Sequence, residues 1–319
     1  MRDLREQRVL ITGGSGFLGR AVRRALAARG VHAVEAPTHA QADLTRQSAT
    51  DAMLAASFAG HGPTVLLHLA GFVGGLGANR QWPARFAYDT LAMALHLIEG
   101  CRAQGLIDRG LLFLQVGTMC SYPADAPCPY REESLWRGRP DPEIASYGLS
   151  KLAILQVLEA YRLQHGLASA YVIPTGFYGP GDNANPATSH VVGALIHKYV
   201  QAVRANAPEV VHWGTGTPVR DFIHVNDAAE GLLRAAEVLS VPDPVNLTGG
   251  EEVSIRDLAD RIARLTGFTG RTVWDTSKGD GQPRRSLCPE KAAQVLNWRA
   301  QITLDAGLRE AVRAAMNPG

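Results

Sequence analysis

Residues 8–30 read RVLITGGSGFLGRAVRRALAARG, and they are the strongest indication of the fold class. The apolar run at 8–12 predicts a strand, the glycines after it predict a tight turn, and 20–29 consists mostly of strong helix formers. The spacing is GxxGxxG rather than GxGxxG, but glycines still let the backbone approach a pyrophosphate at a helix N-terminus. We predict that a dinucleotide is held by Gly13, Gly14, Ser15, Gly16, Phe17, Leu18 and Gly19.

Outward from this turn, short apolar runs alternate with helical segments. Strands are predicted at 31–35, 64–69, 111–116 and 170–173, and helices at 48–58, 85–103 and 147–164. The apolar runs do not alternate with polar residues, which is the pattern of strands buried on both faces. We therefore expect an α/β fold with a doubly wound parallel sheet of the Rossmann type.

The character of the sequence changes beyond Pro174. Residues 174–190 are dense in Gly, Pro and Asn, which indicates a loop. Helices are predicted at 191–204, at 227–240 with a cap near Asn226, at 254–266 with Ser254 as cap, and at 304–315. We expect a dinucleotide-binding Rossmann domain at 1–175 and about 214–248. A smaller C-terminal substrate domain is expected at about 176–213 and 249–319.

Composition argues against several classes of protein. The chain has 319 residues, of which 46 % are apolar and 19 % charged, with a formal charge of +2. This balance is typical of globular proteins, and it predicts neither nucleic acid nor an anionic membrane as partner. No apolar run approaches the length of about 20 residues that a membrane helix needs. The four cysteines form no CxxC pair, so we expect no metal site and a reducing, cytoplasmic environment.

The type of dinucleotide depends on what faces its ribose. Glu35 ends the second predicted strand, 19 residues after Gly16, and a carboxylate there would bind the 2′-OH of NAD(H). The 2′-phosphate of NADP(H) needs cations instead. His39 and Arg46 are near enough in sequence to be candidates for that role.

A hydroxyl, a phenol and an amine occur in an order that suits ketone chemistry. Tyr147 and Lys151 are four residues apart and share a helix face. Thr118 follows the strand at 111–116, at the edge where doubly wound sheets bind ligands. Reducing a ketone requires a proton for its oxygen, and a lysine cation about 4 Å away favours a phenolate by roughly 4 kcal/mol at a dielectric of about 20. We expect Lys151 to lower the pKa of Tyr147, and Thr118 to orient the carbonyl.

The segments GGSGFLG and YGLSK, with the hydroxyl at the strand end, resemble the extended short-chain dehydrogenase/reductase superfamily. Further motifs narrow the resemblance to the GDP-L-fucose synthase family. They are VGG at 73–75, CSYP at 120–123, PTGFYGPGDN at 174–183, SHVVGAL at 189–195, WGTGTPVRDFIHVND at 213–227 and DGQPRR at 280–285. The likeness runs from the first strand to about Arg285 with consistent spacing.

This resemblance implies a reaction in which a GDP-4-keto-6-deoxyhexose is epimerised at C3 and C5 and its C4 ketone is then reduced by NADPH. It implies Cys120 as the base and His190 as the acid of the epimerisation, two residue types that exchange protons near neutrality. It also implies a homodimer, and NADP(H) in preference to NAD(H). The further contacts that it implies are Pro174 and Phe177 for the cofactor, and Lys198, Trp213, Arg220 and Asp280 for the nucleotide sugar.

The sequence departs from the family pattern at several of these positions. Thr118 stands for a serine, Gly176 for an asparagine, Lys198 for an arginine, and Ser15 and His39 for two arginines that clamp the 2′-phosphate. A related 4-reductase or epimerase for another NDP-4-keto sugar therefore stays an alternative, and a non-catalytic dinucleotide-binding module is a remote one. A 4,6-dehydratase is disfavoured, because Met119 and Cys120 stand where those enzymes commonly place Asp-Glu.

Overall fold

The computed structural model describes residues 1–59, 64–183 and 189–317, so the predicted loop at 174–190 lies partly outside the described residues. No helix within these ranges is both long and apolar enough to cross a lipid bilayer. The same ranges contain no group of three or more His, Cys, Asp or Glu side chains placed to hold a metal ion.

Strands and helices alternate along most of the described chain. The strands are β1 Val9–Thr12, β2 Val34–Glu35, β3 Val65–His68, β4 Leu112–Val116, β5 Ala168–Pro174, β6 Gly176–Tyr178, β7 Glu209–Trp213, β8 Val219–His224, β9 Val245–Leu247, β10 Glu252–Ser254, β11 Arg271–Asp275 and β12 Arg284–Arg285. The helices are α1 Phe17–Ala28, α2 Gln47–Ser57, α3 Leu76–Gln81, α4 Pro83–Ala103, α5 Ala145–His165, α6 Val191–Arg204, α7 Val225–Val238, α8 Ile255–Thr266 and α9 Leu304–Met316.

A six-stranded sheet with the order β2-β1-β3-β4-β5-β9 forms the centre of the fold. Every neighbouring pair of its strands runs parallel, which confirms the predicted parallel sheet. The chain changes direction across the sheet between β1 and β3. At such a switch point ligands bind beyond the carboxyl ends of the strands.

Helices cover both faces of this sheet, as the doubly wound prediction requires. Successive residues of β1 show it: Val9 and Ile11 enter the core cluster that α1 and α7 share, whereas Leu10 enters the cluster under α2, α4 and α5. Because side chains of a strand alternate between the two faces, a strand buried on both sides has to be apolar throughout. The continuous apolar runs in the sequence have this cause.

A second group of elements packs at the carboxyl end of the first sheet's β5. In it β8 pairs with β6, β10 and β12, β7 pairs with β11, and α6, α8 and α9 share a third core cluster. β8 lies in this group although the predicted division counts 214–248 with the first domain, whereas β9 joins the six-stranded sheet. The division into two domains itself stays a prediction.

The structure corrects three local predictions. The second strand is only Val34–Glu35 instead of 31–35. A strand, Gly176–Tyr178, lies inside the predicted loop because it pairs in parallel with β8. The helix predicted at 227–240 begins at Val225, because Nδ1 of His224, rather than Asn226, caps it by accepting the N–H of Asn226 at 3.4 Å. The predicted cap at Ser254 is confirmed, since its hydroxyl accepts the N–H of Asp257.

Candidate active site

The glycine turn lies between β1 and α1, at the switch point of the sheet. Gly13 has φ +73°, and a Cβ on it would stand 2.7 Å from the backbone N of Ala70. A Cβ on Gly19 would stand 2.2 Å from the carbonyl oxygen of Gly13. Any side chain here would therefore fill the turn, whereas glycine leaves a cradle at the N-terminus of α1. This cradle fits the pyrophosphate of a dinucleotide.

The two residues predicted to face the ribose differ in their surroundings. Glu35 forms an ion pair with Arg8, with 3.3 Å between Oε1 and Nη2, so its carboxylate already has a cationic partner. His39 is exposed in the loop after β2. The residue of this region that lies against the glycine turn is Ala36, whose Cβ is 2.7 Å from the point where a Cβ on Gly14 would stand.

The phenol and the amine both lie on α5. Nζ of Lys151 is 5.9 Å from the centroid of the Tyr147 ring, a closeness that follows from their four-residue spacing. The same Nζ donates to the carbonyl of Val116 at 2.9 Å, which fastens α5 to the end of β4. Phe86 on α4 packs edge-on against Tyr147 with 5.6 Å between ring centroids. The pair is thereby held at the carboxyl end of the parallel sheet.

Burial controls the protonation of this pair. It raises the pKa of Tyr147 well above its ordinary value, and a negative charge on Cys120 adds to the effect. This is opposite to the lowering that we expected from Lys151. Lys151 is itself only 4 % exposed, and desolvation lowers its pKa to about 8. Its charged ammonium form is therefore less favoured than in water. Tyr147 is therefore a protonated phenol near neutral pH, which is the form that can give a proton.

Thr118 begins the turn that carries the candidate base. Its Oγ1 accepts the N–H of Cys120 at 3.2 Å and so caps a short 3₁₀ turn, Met119–Ser121. The hydroxyl of Ser121 donates to the carbonyl of Gly148 at 2.8 Å, which joins this turn to the active-site helix α5. A Cβ on Gly148 would stand 2.2 Å from the carbonyl oxygen of Cys120. Glycine at this position is what allows the thiol-bearing turn to approach α5.

Replacing Gly148 by alanine is expected to force the helix and the Cys120 turn apart. Overpacking of this kind costs about 1–3 kcal/mol of unfolding free energy, and we expect kcat to fall roughly tenfold because the reacting groups separate. Thermal unfolding and steady-state kinetics measure the two effects. The matched control is Gly77→Ala in α3, where no atom lies within 4 Å of the added Cβ. An active, fully stable Gly148→Ala protein would contradict the close approach.

A cavity of about 390 Å³ opens beside this turn, and its wall includes Met119, His190, Arg220 and Arg285. His190 is the N-cap residue of α6, and desolvation by the cavity wall lowers its pKa. Burial lowers the pKa of Arg220 to about 10, and the neighbouring cation of Arg285 adds to the lowering. Two arginines that repel each other in one wall indicate a site for an anionic ligand.

Asp221 is a carboxylate in the same wall. Its Oδ2 accepts the hydroxyl of Thr248 at 2.5 Å and the N–H of Leu287 at 3.1 Å. Burial raises the pKa of Asp221 to about 7, so near neutrality it is ionised only in part. Asp221 therefore offsets the charge of the two arginines only in part.

Most of the remaining predicted ligand residues lie at or near this cavity. Phe177, Trp213 and Asp280 line it, and the indole of Trp213 is 73 % exposed. Asp280 also holds the adjacent loop, because its carboxylate accepts the N–H and the hydroxyl of Thr215 at 2.9 and 2.6 Å. Pro174 is buried at the end of β5, where the chain passes toward β6.

Lys198 and Arg285 differ most from the sequence-based expectation. Lys198 is absent from the described wall of the cavity, and its Nζ donates to the carbonyl of Val211 at 3.0 Å. Arg285 ends the DGQPRR motif but was not predicted as a site residue. It lines the cavity, and its Nη2 donates to Sγ of Cys120 at 3.4 Å. The only sequence signal for it was a basic residue at the end of a motif already matched.

Comparison with known proteins identifies the family. Residues 9–247 match the model of the NAD dependent epimerase/dehydratase family. The chain belongs to this family. Within the family it is similar to "Probable GDP-L-fucose synthase 1" of Oryza sativa subsp. japonica, at 39 % identity over 95 % of this chain and 90 % of the relative. It is also similar to the GDP-L-fucose synthase of Escherichia coli K12, at 36 % identity over 95 % and 94 % of the two chains.

A solved structure supports the same placement within the family. The GDP-L-fucose synthetase of Naegleria fowleri superposes with a TM-score of 0.86 at 27 % identity, covering 96 % of this chain and 92 % of that one. The same enzyme bound to NADP gives a TM-score of 0.85 at 26 % identity, covering 97 % and 94 %. The predicted resemblance to the GDP-L-fucose synthase family is confirmed, as is the prediction of an NAD(P)-dependent enzyme.

Proposed function

We propose that this chain epimerises a GDP-4-keto-6-deoxyhexose at C3 and C5 and then reduces the C4 ketone with NADPH. The observation that carries the proposal is the position of Cys120 on a turn pressed against α5, next to the Tyr147–Lys151 pair. A simple reductase or 4-epimerase needs the phenol, the lysine and the hydroxyl, but it has no use for a thiol there. The similarity to enzymes named GDP-L-fucose synthase supports the same reaction.

In the epimerisation, Cys120 acts as a thiolate and takes the proton at C3. The C–H electron pair moves toward the 4-keto group, and the hydroxyl of Thr118 stabilises the enolate oxygen by donating a hydrogen bond. His190 returns a proton to the opposite face of the carbon, and the lowered pKa of its imidazolium favours that donation. The thiol then loses its proton to solvent and the imidazole regains one, and the same pair of groups repeats the exchange at C5.

In the reduction, Tyr147 gives its proton to the C4 oxygen. When bound, the nicotinamide supplies the hydride for C4. The raised pKa of Tyr147 keeps the phenol protonated until the alkoxide forms, because the alkoxide is the stronger base. Lys151, held by the carbonyl of Val116, then stabilises the phenolate left behind with its positive charge.

The cavity suits the diphosphate of a nucleotide sugar. Arg220 and Arg285 present guanidinium groups that pair well with phosphate oxygens, and neither forms an ion pair with a carboxylate of the described chain. Trp213 offers an exposed indole at the rim, where a base can pack. Lys198 would have to leave the Val211 carbonyl to contact this ligand. We therefore assign the diphosphate to Arg220 and Arg285 ahead of Lys198.

NADP(H) is the preferred cofactor in this proposal, although Ser15 and His39 replace the arginines of the family pattern. A different arginine lies at the ribose end. Cδ of Arg23 is 3.5 Å from the point where a Cβ on Gly14 would stand, beside Ala36. The ribose of a dinucleotide binds between the glycine turn and the end of the second strand, so Arg23 is placed to meet its 2′-phosphate.

Arg23→Ala is expected to raise KM for NADPH about tenfold, which is the loss of one charge-assisted hydrogen bond. KM for NADH, which has no 2′-phosphate, is expected to stay within twofold or so of the original value on the same grounds. The neighbouring Arg24→Ala is the control, since the Arg24 guanidinium donates instead to Asn226. A clear preference of the unaltered protein for NADH would overturn the assignment and point back to Glu35.

The reaction itself is tested with GDP-4-keto-6-deoxy-D-mannose and NADPH in D₂O. Loss of absorbance at 340 nm with deuterium at C3 and C5 of the product, located by NMR, supports the proposal. Reduction without deuterium at either carbon would favour the alternative, a 4-reductase for an NDP-4-keto sugar. No turnover with this substrate would overturn the proposal, and a panel of other NDP-4-keto sugars then identifies the substrate.

We further propose that the protein is a homodimer. α4 and α5 pack against each other, and both expose large apolar side chains to solvent. These are Tyr88, Leu95, Leu149 and Leu163, at 65, 38, 38 and 81 % exposure. Two copies would bury them as a four-helix bundle across a two-fold axis. Light scattering on the eluting protein should give twice the chain mass of 34.2 kDa, and a monomer mass would refute this arrangement.

A further inference from the structure

The contact between Arg285 and Cys120 joins two distant parts of the chain. The residues are 165 positions apart, and Nη2 of Arg285 lies 3.4 Å from Sγ of Cys120. β12 holds Arg285 in place by pairing in parallel with β8, which puts it opposite Arg220 in the ladder. The thiol is held from the other side by the turn that Thr118 caps. Both groups are therefore positioned by backbone structure rather than by flexible side chains alone.

The surroundings of the guanidinium leave the thiol as its main anionic neighbour. Among the described residues no carboxylate lies within ion-pair distance of Arg285, and Nε of Arg285 is buried without a hydrogen-bond partner. In the same cavity wall Arg220 is a second cation, and the charge of Arg285 helps to lower its pKa. Burial lowers the pKa of Arg285, but a negative charge on Cys120 makes the largest opposing contribution, and the net change is upward. A cation buried in this way needs an anion, and the sulfur is in position to provide it.

We propose that Arg285 is a catalytic residue that holds Cys120 as a thiolate in the free enzyme. This role rests on the proposed function, in which Cys120 is the base. The thiol proton leaves to solvent, the sulfur keeps the electron pair, and the guanidinium balances the charge while remaining protonated itself. The thiolate then takes the proton from C3 or C5. The unpartnered Nε–H of Arg285 remains available to an oxygen of the ligand in the cavity.

The test measures the thiolate directly, without the sugar substrate. The full-length protein is treated with iodoacetamide at pH 7, where the sulfur displaces iodide, and the modified cysteines are followed by peptide mass spectrometry. Arg285→Gln is expected to slow modification of Cys120 about tenfold, because the neutral side chain no longer balances the thiolate. Arg285→Lys keeps the charge and is expected to slow it by less than about threefold.

Further controls separate the effect of charge from the effects of accessibility and folding. Arg284→Gln removes the adjacent cation, which pairs with Glu252, and should leave Cys120 modification unchanged. Cys128 in the same sample reports general accessibility, and unchanged Tm and NADP(H) affinity report the fold. Equal rates for Arg285→Gln and the unaltered protein would overturn the proposal, as would equal losses for the Gln and Lys variants. Loss of thiolate reactivity in a protein that never epimerises would instead refute only the proposed function.

Discussion

Tyr147→Phe is expected to lower kcat for ketone reduction by about a thousandfold, within the range of 10²–10⁴ that a positioned general acid contributes. Phenylalanine keeps the edge-on packing on Phe86 but has no proton to give. Water is a poor substitute, because the ring fills the place from which the proton must come. The measurement is the rate of NADPH oxidation at saturating substrate, with cofactor affinity determined separately and expected to stay the same.

The control for this variant lies on the same helix. Tyr161→Phe removes a hydroxyl that donates to Glu99 at 2.6 Å, and it lies nearly four turns away from Tyr147. Its kcat should match the unaltered protein. Turnover of Tyr147→Phe at the same level would show that another group protonates the C4 oxygen, and the role of Tyr147 would have to be given up.

Cys120→Ser is expected to suppress deuterium uptake at C3 and C5 by about a thousandfold, because a serine hydroxyl is a far weaker acid than a thiol and supplies almost no anion near neutrality. The serine has the same branching as the cysteine, and its oxygen can still accept a hydrogen bond from Arg285. Reduction of a ketone that needs no epimerisation should fall much less. Mass spectrometry of the product from D₂O measures the first effect, and NADPH oxidation measures the second.

Cys128→Ser is the matched control, since Sγ of Cys128 donates to the carbonyl of Arg284 and a serine hydroxyl can do the same. Exchange at both carbons should proceed there at the original rate. If Cys120→Ser still exchanged fully at C3 and C5, a different base would operate. Arg285 would then have no catalytic thiolate to stabilise, and its proposed role would be refuted as well.

The sequence predicted the larger sheet better than the elements after it. The strands at 64–69, 111–116 and 170–173 were recognisable because parallel strands buried on both faces must be apolar at every position. β6 was missed inside the predicted loop, since a three-residue strand is stabilised by its partner β8, which lies about 40 residues further along the chain. β8 in turn pairs with segments on both sides of it in sequence, so no local pattern assigns it to a sheet.

The sequence predicted which side chains lie close together in the site better than it predicted their pKa values. The spacing of Tyr147 and Lys151 correctly indicated that the two side chains are close. The direction of the pKa change at Tyr147 was wrong, because it depends on how many atoms of the whole fold surround the hydroxyl and the ammonium. The burial of a side chain depends on segments that are far from it in sequence. The four-residue spacing of Tyr147 and Lys151 contains no information about those segments.

The strand, glycine turn and helix at 8–30 and the shared helix face of Tyr147 and Lys151 could be predicted from the amino-acid sequence alone. Both depend on bond geometry and on neighbours within about two helical turns, which any chain with these residues obeys. Three features depend on how separate elements pack: Arg285 contacts Cys120, Gly148 leaves room for the Cys120 turn, and Lys198 donates to the carbonyl of Val211. Those contacts join segments that meet only when separate elements pack, and the direction of each side chain is then fixed by the space that remains.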